Sequence, residues 1–226
     1  MIGASLTEKQ EQLIAEIKKK AAIINSEQGP IWDGVADCES YAISRPRVVW
    51  ILKEPYDTDP GPEGWSHPNF LADLSVTKIN TSLTWRRVNE TMFSIREQKH
   101  YDESNLADRN CLKDIAWINL SKMAGKSISD GQFKKQFKLH WAEIVKKQID
   151  VYDPNIIIFG NTFDICKKEL FPKGYELILK NPLVHLYKTG KMLLIYAYHP
   201  GWWGVKDAEY VNSIVDSIAV LANACK

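Results

Sequence analysis

Four short apolar runs set the architecture this chain can adopt: Val48-Val49-Trp50-Ile51-Leu52, Ile115 to Leu120, Ile156 to Phe159 and Leu193 to Tyr198. None alternates polar with apolar residues, which is the pattern of strands covered on both faces in a parallel sheet. Tyr175 to Leu179 and Val184 to Tyr187 are weaker strand candidates. Between these runs the spacing predicts helices over Thr84 to Glu97, Gly131 to Tyr152, Thr162 to Leu170 and Lys206 to Ala224. A further helix is expected over Leu6 to Asn25, with Leu13, Ile14, Ile17, Ala21 and Ile24 on one face, Thr7 as its cap, and Gly29-Pro30 stopping it. Buried strands alternating with amphipathic helices imply an α/β three-layer sandwich with a mainly parallel central sheet.

The 226 residues, 45% hydrophobic and 25% charged, suit one ordinary globular domain spanning the whole chain. No repeats, low-complexity tracts or linkers divide it. The stretch from Asp57 to Asn80 carries Pro60, Gly61, Pro62, Gly64 and Pro68 without periodicity and reads as a long functional loop.

A net charge of +1 neither supports nor excludes a polyanionic partner. Cys38, Cys111, Cys166 and Cys225 are far apart and lack the spacing of a zinc or iron-sulfur site, so no metal is expected. Isolated thiols fit a reducing compartment. Met1 to Lys20 is charged and amphipathic rather than a signal peptide, and no apolar run approaches the ~20 residues that span a bilayer. A cytoplasmic protein with no membrane contact, and a monomer, is the expectation.

Two loops at strand ends carry the chemistry: Lys53-Glu54-Pro55-Tyr56-Asp57, and His199-Pro200-Gly201-Trp202-Trp203-Gly204. Ligands of open α/β sheets bind outside the carboxyl ends of the strands, so a carboxylate and an imidazole from these loops are placed to face one pocket. Gly125-Lys126-Ser127 imitates the end of a phosphate-binding loop, but that motif needs a glycine where the chain has Leu120.

The order of these motifs resembles the uracil-DNA glycosylase superfamily: strand plus Lys53-Glu54-Pro55-Tyr56, strand plus Asn119, Pro154-Asn155-Ile156-Ile157-Ile158-Phe159-Gly160 opening a helix, and strand plus His199-Pro200-Gly201. The likeness runs from Arg47 to the C-terminus. It implies an α/β sandwich that hydrolyses the N-glycosidic bond of uracil or another damaged base in DNA, without metal or organic cofactor.

On that resemblance Glu54 stands for the aspartate that orients or activates water, and its negative charge favours the cationic sugar. His199 stands for the histidine that donates to a pyrimidine carbonyl as charge develops on the leaving base. Asn119 reads the polar edge of the base, its amide offering both a donor and an acceptor. Tyr56 fills space beside the base, while Trp65 or Phe70 offers a stacking face for a flipped-out base. Lys53, Pro55, Asp57, Pro200 and Gly201 complete the substrate loops. Trp202 and Trp203 stand where relatives carry a loop that enters the duplex, as a wedge or as a stacking platform for single strands. Arg86, Arg87, Lys122, Lys126 and Lys206 are candidate phosphate contacts.

Each residue also has a plainer role: Glu54 as a solvated strand-end acid, Asn119 satisfying local backbone, His199 packing beside Tyr198, and the aromatics as core. The chain departs from the family at Leu52 for a glycine, Lys53 for glutamine, Glu54 for aspartate and Gly201 for serine. The extra methylene of Glu54 moves its carboxylate by about a bond length, where a ~1 Å displacement costs ~100-fold in rate. Two other functions remain open: a non-catalytic nucleic-acid-binding member of the same fold, and a hydrolase of a free nucleoside or other small ligand.

Overall fold

The computed structural model describes residues 2–125 and 132–224, with side chains from 5 to 220 of these. Lys126, Ser127, Gly131 and Cys225 lie outside the described residues. The chain opens with α1 (Ile2–Ile24), β1 (Ile31–Trp32), β2 (Gly34–Val35), α2 (Cys38–Ile43) and β3 (Val48–Leu52). It continues through β4 (Trp65–Ser66), α3 (His67–Asp73), α4 (Val76–Thr81), α5 (Leu83–Glu97) and β5 (Ala116–Asn119). Next come α6 (Phe133–Gln136), a π-helical turn at Phe137–Trp141, α7 (Ala142–Tyr152), β6 (Ile156–Gly160) and α8 (Phe163–Leu170). β7 (Glu176–Lys180), β8 (Val184–Thr189), β9 (Met192–Ala197) and α9 (Asp207–Ala224) follow.

A seven-stranded sheet in the order β2-β5-β3-β6-β9-β8-β7 forms the middle layer. Its central strands β5, β3, β6 and β9 are parallel. The flanking strands β2, β8 and β7 pair antiparallel, so the sheet is mixed, with a parallel core. Every residue of β3, β5 and β6 is buried, because helices cover both faces. Strand side chains alternate between the faces. Val49, Ile51, Ile118 and Phe159 join a core with residues of α1, α7 and α8, while Trp50, Leu52, Trp117 and Ile195 join one with residues of α5 and α9. Three layers therefore enclose two cores.

Two expectations are corrected. The segment 57–80 is not a featureless loop: it pairs β4 with β1 and carries α3 and α4. Its start is docked on Gly29 and Pro30, whose backbone bonds Gly61 and Trp65. Ser66 and Ser75 cap the two helices, signals that the prolines and glycines around them obscure. Thr7 lies inside α1 rather than capping it.

The connections define where a ligand goes. β3 leads into α5 on one face of the sheet, and β6 leads into α8 on the other. Adjacent parallel strands whose connections leave to opposite faces open a crevice at their carboxyl ends. Here that crevice lies between Leu52 and Gly160.

Candidate active site

The first loop is held as an extension of strand pairing. Leu120 N–H donates to Leu52 O at 2.8 Å, Ser121 N–H to Lys53 O at 2.9 Å and Gly125 N–H to Pro55 O at 2.9 Å, and Tyr56 bridges Gly125. Glu54 lies along Gly125 so closely that a Cβ there would stand 2.1 Å from Glu54 Cγ and 2.8 Å from Oε1. Glycine is what leaves room for this carboxylate. Pro55 is buried. Asp57 accepts from the Asp59 amide at 3.0 Å and from Trp65 Nε1 at 2.8 Å, and the Asp59 bond, then that of Trp65, holds its carboxyl below the usual range. Tyr56 is 69% exposed.

The last loop is fixed from α5. Buried Arg87 donates to Pro200 O at 3.2 Å, Trp202 O at 2.5 Å and Val205 O at 2.5 Å, and pairs with Asp207 at 2.7 Å. Arg86 shares Asp207 and bonds Asn80 O. Arg87 therefore builds the loop, which corrects its reading as a phosphate contact, while the partly exposed Arg86 ties Asp207 to the end of α4. Lys206 is exposed.

His199 Nδ1 accepts the Gly201 amide at 3.0 Å, which places the ring proton of the neutral imidazole on Nε2 as an outward donor. The ring keeps an edge open to solvent, but crowding by protein on its other side, and then the Lys53 ammonium, push its pKa below the usual value. The imidazole is neutral at pH 7. A Cβ at Gly201 would lie 2.7 Å from Thr84 Oγ1 and 3.1 Å from His199 Nδ1, so a larger residue here disturbs the ring.

Gly160 lies between the end of β3 and the last loop. A Cβ on it would meet Pro200 Cδ at 3.1 Å, Leu52 Cγ at 3.4 Å and His199 Cα at 3.6 Å. With only β6 between them, the ends of β3 and β9 are ~10 Å apart. Lys53 and His199 thus face one crevice.

Asn119 pairs in register with Leu52 beside this crevice. Its backbone N–H donates to Asp33 Oδ2 at 2.5 Å, and its backbone carbonyl accepts from Lys122 Nζ at 2.7 Å. Lys122 also donates to both Asp33 oxygens and to Gln148 Oε1, with Asp33 and Lys122 wholly buried. Lys122 is consequently a buried anchor and not a phosphate contact. Asn119 is 1% exposed, and among the described residues its side-chain Nδ2 has no partner.

Two residues earlier on the same face, Trp117 begins an aromatic cluster. His67 stacks on it at 5.2 Å and on Trp65 at 5.8 Å, Trp85 lies 5.0 Å from Trp117, and Phe70 meets Trp65 and Trp85 at 5.9 and 5.7 Å. Phe70 is 40% exposed, so the cluster has an open rim. Thr84 and Trp85 are neighbours at the start of α5, which links the aromatic cluster to the His199 loop.

Trp202 stacks on Tyr198 at 4.1 Å, while Trp203 is 87% exposed. Tyr198 therefore packs on Trp202, and His199 turns instead to Gly201. The sequence reading missed His67, Thr84, Trp85, Asp33 and Gln148. Only His67 had a local signal, Ser66-His67-Pro68, which is a helix cap followed by an early proline.

Burial, and secondarily the Lys122 ammonium, push His67 down to about 3. An unfolded histidine titrates near 6.5, so between these values the unfolded chain binds the extra proton. The resulting stability is complete above about pH 6.5 and is lost as pH falls toward about 3. Urea unfolding at pH 8 and pH 4 should cost wild type about 3 kcal/mol more than His67→Phe, which keeps a ring in the stack. Equal acid losses in the two proteins would refute a buried neutral imidazole.

Among the described residues, no group of three or more His, Cys, Asp or Glu is arranged to hold a metal ion. Cys38, Cys111 and Cys166 are free thiols. Among the described residues no helix is long and apolar enough to cross a membrane. Compared with protein-family models and with curated proteins, the chain matches none.

Proposed function

We propose that this protein is a divergent member of the uracil-DNA glycosylase superfamily that hydrolyses the N-glycosidic bond of a damaged base in DNA. The observation that carries the reading is the approach of the last loop to the end of β3 across Gly160, with Lys53 close enough to act on the His199 ring. Beside that crevice stand the buried Asn119 side chain, whose Nδ2 has no partner among the described residues, and an aromatic cluster with an open rim.

In this reading the extruded base lies flat against the rim formed by Trp65 and Phe70, and the Asn119 amide bonds its polar edge. Neutral His199 donates through Nε2 to the carbonyl that gains negative charge as the bond to the sugar lengthens. The Lys53 ammonium adds favourable potential for that anion. Glu54 accepts the proton of the water that attacks the sugar carbon, and its charge favours the cationic sugar. Bond cleavage thus leaves a free base and an abasic site.

Oligonucleotides carrying uracil, hypoxanthine, xanthine or a thymine mismatch test this, by scoring alkali-labile breaks after incubation. Breaks are expected with at least one carbonyl-bearing lesion and none with undamaged strands; inert substrates throughout would remove the enzymatic reading. Leu52, packed at the crevice where the family carries glycine, favours a second reading as a non-catalytic nucleic-acid-binding member. Binding to DNA with no base release distinguishes that case, while turnover of free nucleosides without affinity for DNA would indicate a small-ligand hydrolase.

A further inference from the structure

One strand along from His199, where β9 pairs with β8, a cavity of about 150 Å³ opens at the carboxyl end of the sheet. Its walls are Asn161, Pro182, Leu183, His185, Tyr196 and Tyr198, with the Ala197 backbone between the two tyrosines. His185 and Tyr196 are direct cross-strand partners and meet edge to face at 5.7 Å. Tyr198, 38% exposed, is held by its stack on Trp202. The residues lining this cavity end at Tyr198, and the crevice described above begins at His199.

The chemistry of the walls selects a ligand. No lining residue carries a formal charge when His185 is neutral, and burial and the Lys180 ammonium favour that form. Two tyrosine rings and an imidazole offer flat faces, and an amide and an imidazole nitrogen offer hydrogen bonds at the rim. The volume suits one heteroaromatic ring without its sugar and phosphate. Asn161 is fixed at this edge: its φ is +60°, its N–H donates to Ala197 O at 2.8 Å and its Oδ1 accepts from Tyr196 OH at 3.2 Å. Asparagine tolerates this left-handed conformation better than most residues, and the two bonds hold it at the cavity edge.

We propose that this cavity receives a second nucleobase, the neighbour of the base at His199, so that the protein binds an unpaired DNA strand. The proposal rests on the glycosylase-like reading for its first base. Two adjacent bases cannot occupy separate pockets while paired and stacked in a duplex, so an already single strand avoids the cost of opening two pairs. Each base received by aromatic faces changes affinity by about 5- to 100-fold.

The test is fluorescence anisotropy of a labelled single-stranded thymidine oligonucleotide and its matched duplex, with wild type, Tyr198→Ala and His185→Gln. Wild type is expected to bind the single strand more tightly, and each variant to lose about 5- to 100-fold of that affinity. Tyr198 is half out of the core and its carbonyl bond from Tyr210 survives truncation, so an unchanged melting midpoint separates lost binding from lost fold. Wild-type preference for duplex, no single-strand binding, or full affinity in both folded variants overturns the proposal. Strand binding that depends on Tyr198 and His185 without any base release keeps this subsite and removes the catalytic reading. Base release with strand binding indifferent to both residues does the reverse.

Discussion

Replacing Glu54 with glutamine is expected to slow base release by about 100- to 10,000-fold, the range for losing a positioned proton acceptor. The amide has nearly the same shape, so binding of the DNA changes little while the proton of the attacking water loses its acceptor. His199→Ala is expected to cost about 100- to 1,000-fold by removing a donor aimed at the developing anion. The two losses need not multiply, since water attack and departure of the base belong to one transition state. Gly125→Ala reaches the same end without replacing a charged residue. Its new Cβ would lie 2.1 Å from Glu54 Cγ, so the carboxylate must move, and a ~1 Å displacement costs ~100-fold. Single-turnover rates on the best lesion, with melting midpoints as a fold control, decide the matter. A folded Glu54→Gln protein at wild-type rate would exclude water activation by this residue, and a fully active His199→Ala would exclude the donor.

The parts of this fold legible in the chain are those whose residues are buried on both sides. β3, β5 and β6 appear as unbroken apolar runs because both faces are covered, β9 is the same kind of run with half of its residues buried, and the structure places each within a residue or two of the expected bounds. The weaker β7 and β8 take the antiparallel edge, β7 with no buried residue and β8 with only Val184 and Leu186 buried, so a parallel pattern could not be read for them. Segment 57–80 was illegible because its order comes from distant partners, Pro30 for Trp65 and Leu71 O for Asn110. The loops bearing Glu54 and His199 were visible as strand ends. What holds them was not: Arg87 reaches the His199 loop from 113 residues away in sequence, and Asp33 meets Lys122 across 89. A surface cation and a buried anchor have the same letter, and only tertiary placement tells them apart.

Lys122→Met is expected to lower the free energy of unfolding by about 3 to 5 kcal/mol, the cost of leaving a buried charge without its partner. Lys122 and Asp33 are both 0% exposed, and the ammonium satisfies Asp33, Gln148 Oε1 and Asn119 O together. Methionine fills the space of the stem and strands the carboxylate, which retains only Gln148 Nε2 and the Asn119 amide. Burial also lowers the Lys122 pKa, and the bonds to Asp33 work against that, so the ammonium depends on this carboxylate as much as the reverse. Adding Asp33→Asn to Lys122→Met should therefore restore about 1 to 3 kcal/mol, since the neutral pair no longer buries an unpaired charge. Because water and ions do not reach the pair, the loss should persist in 1 M salt, where a surface pair would fade. Denaturant titration of the two single variants and the double variant measures this coupling. Additive losses, or a Lys122→Met protein within ~1 kcal/mol of wild type, would mean that Asn119 is positioned by the strand alone.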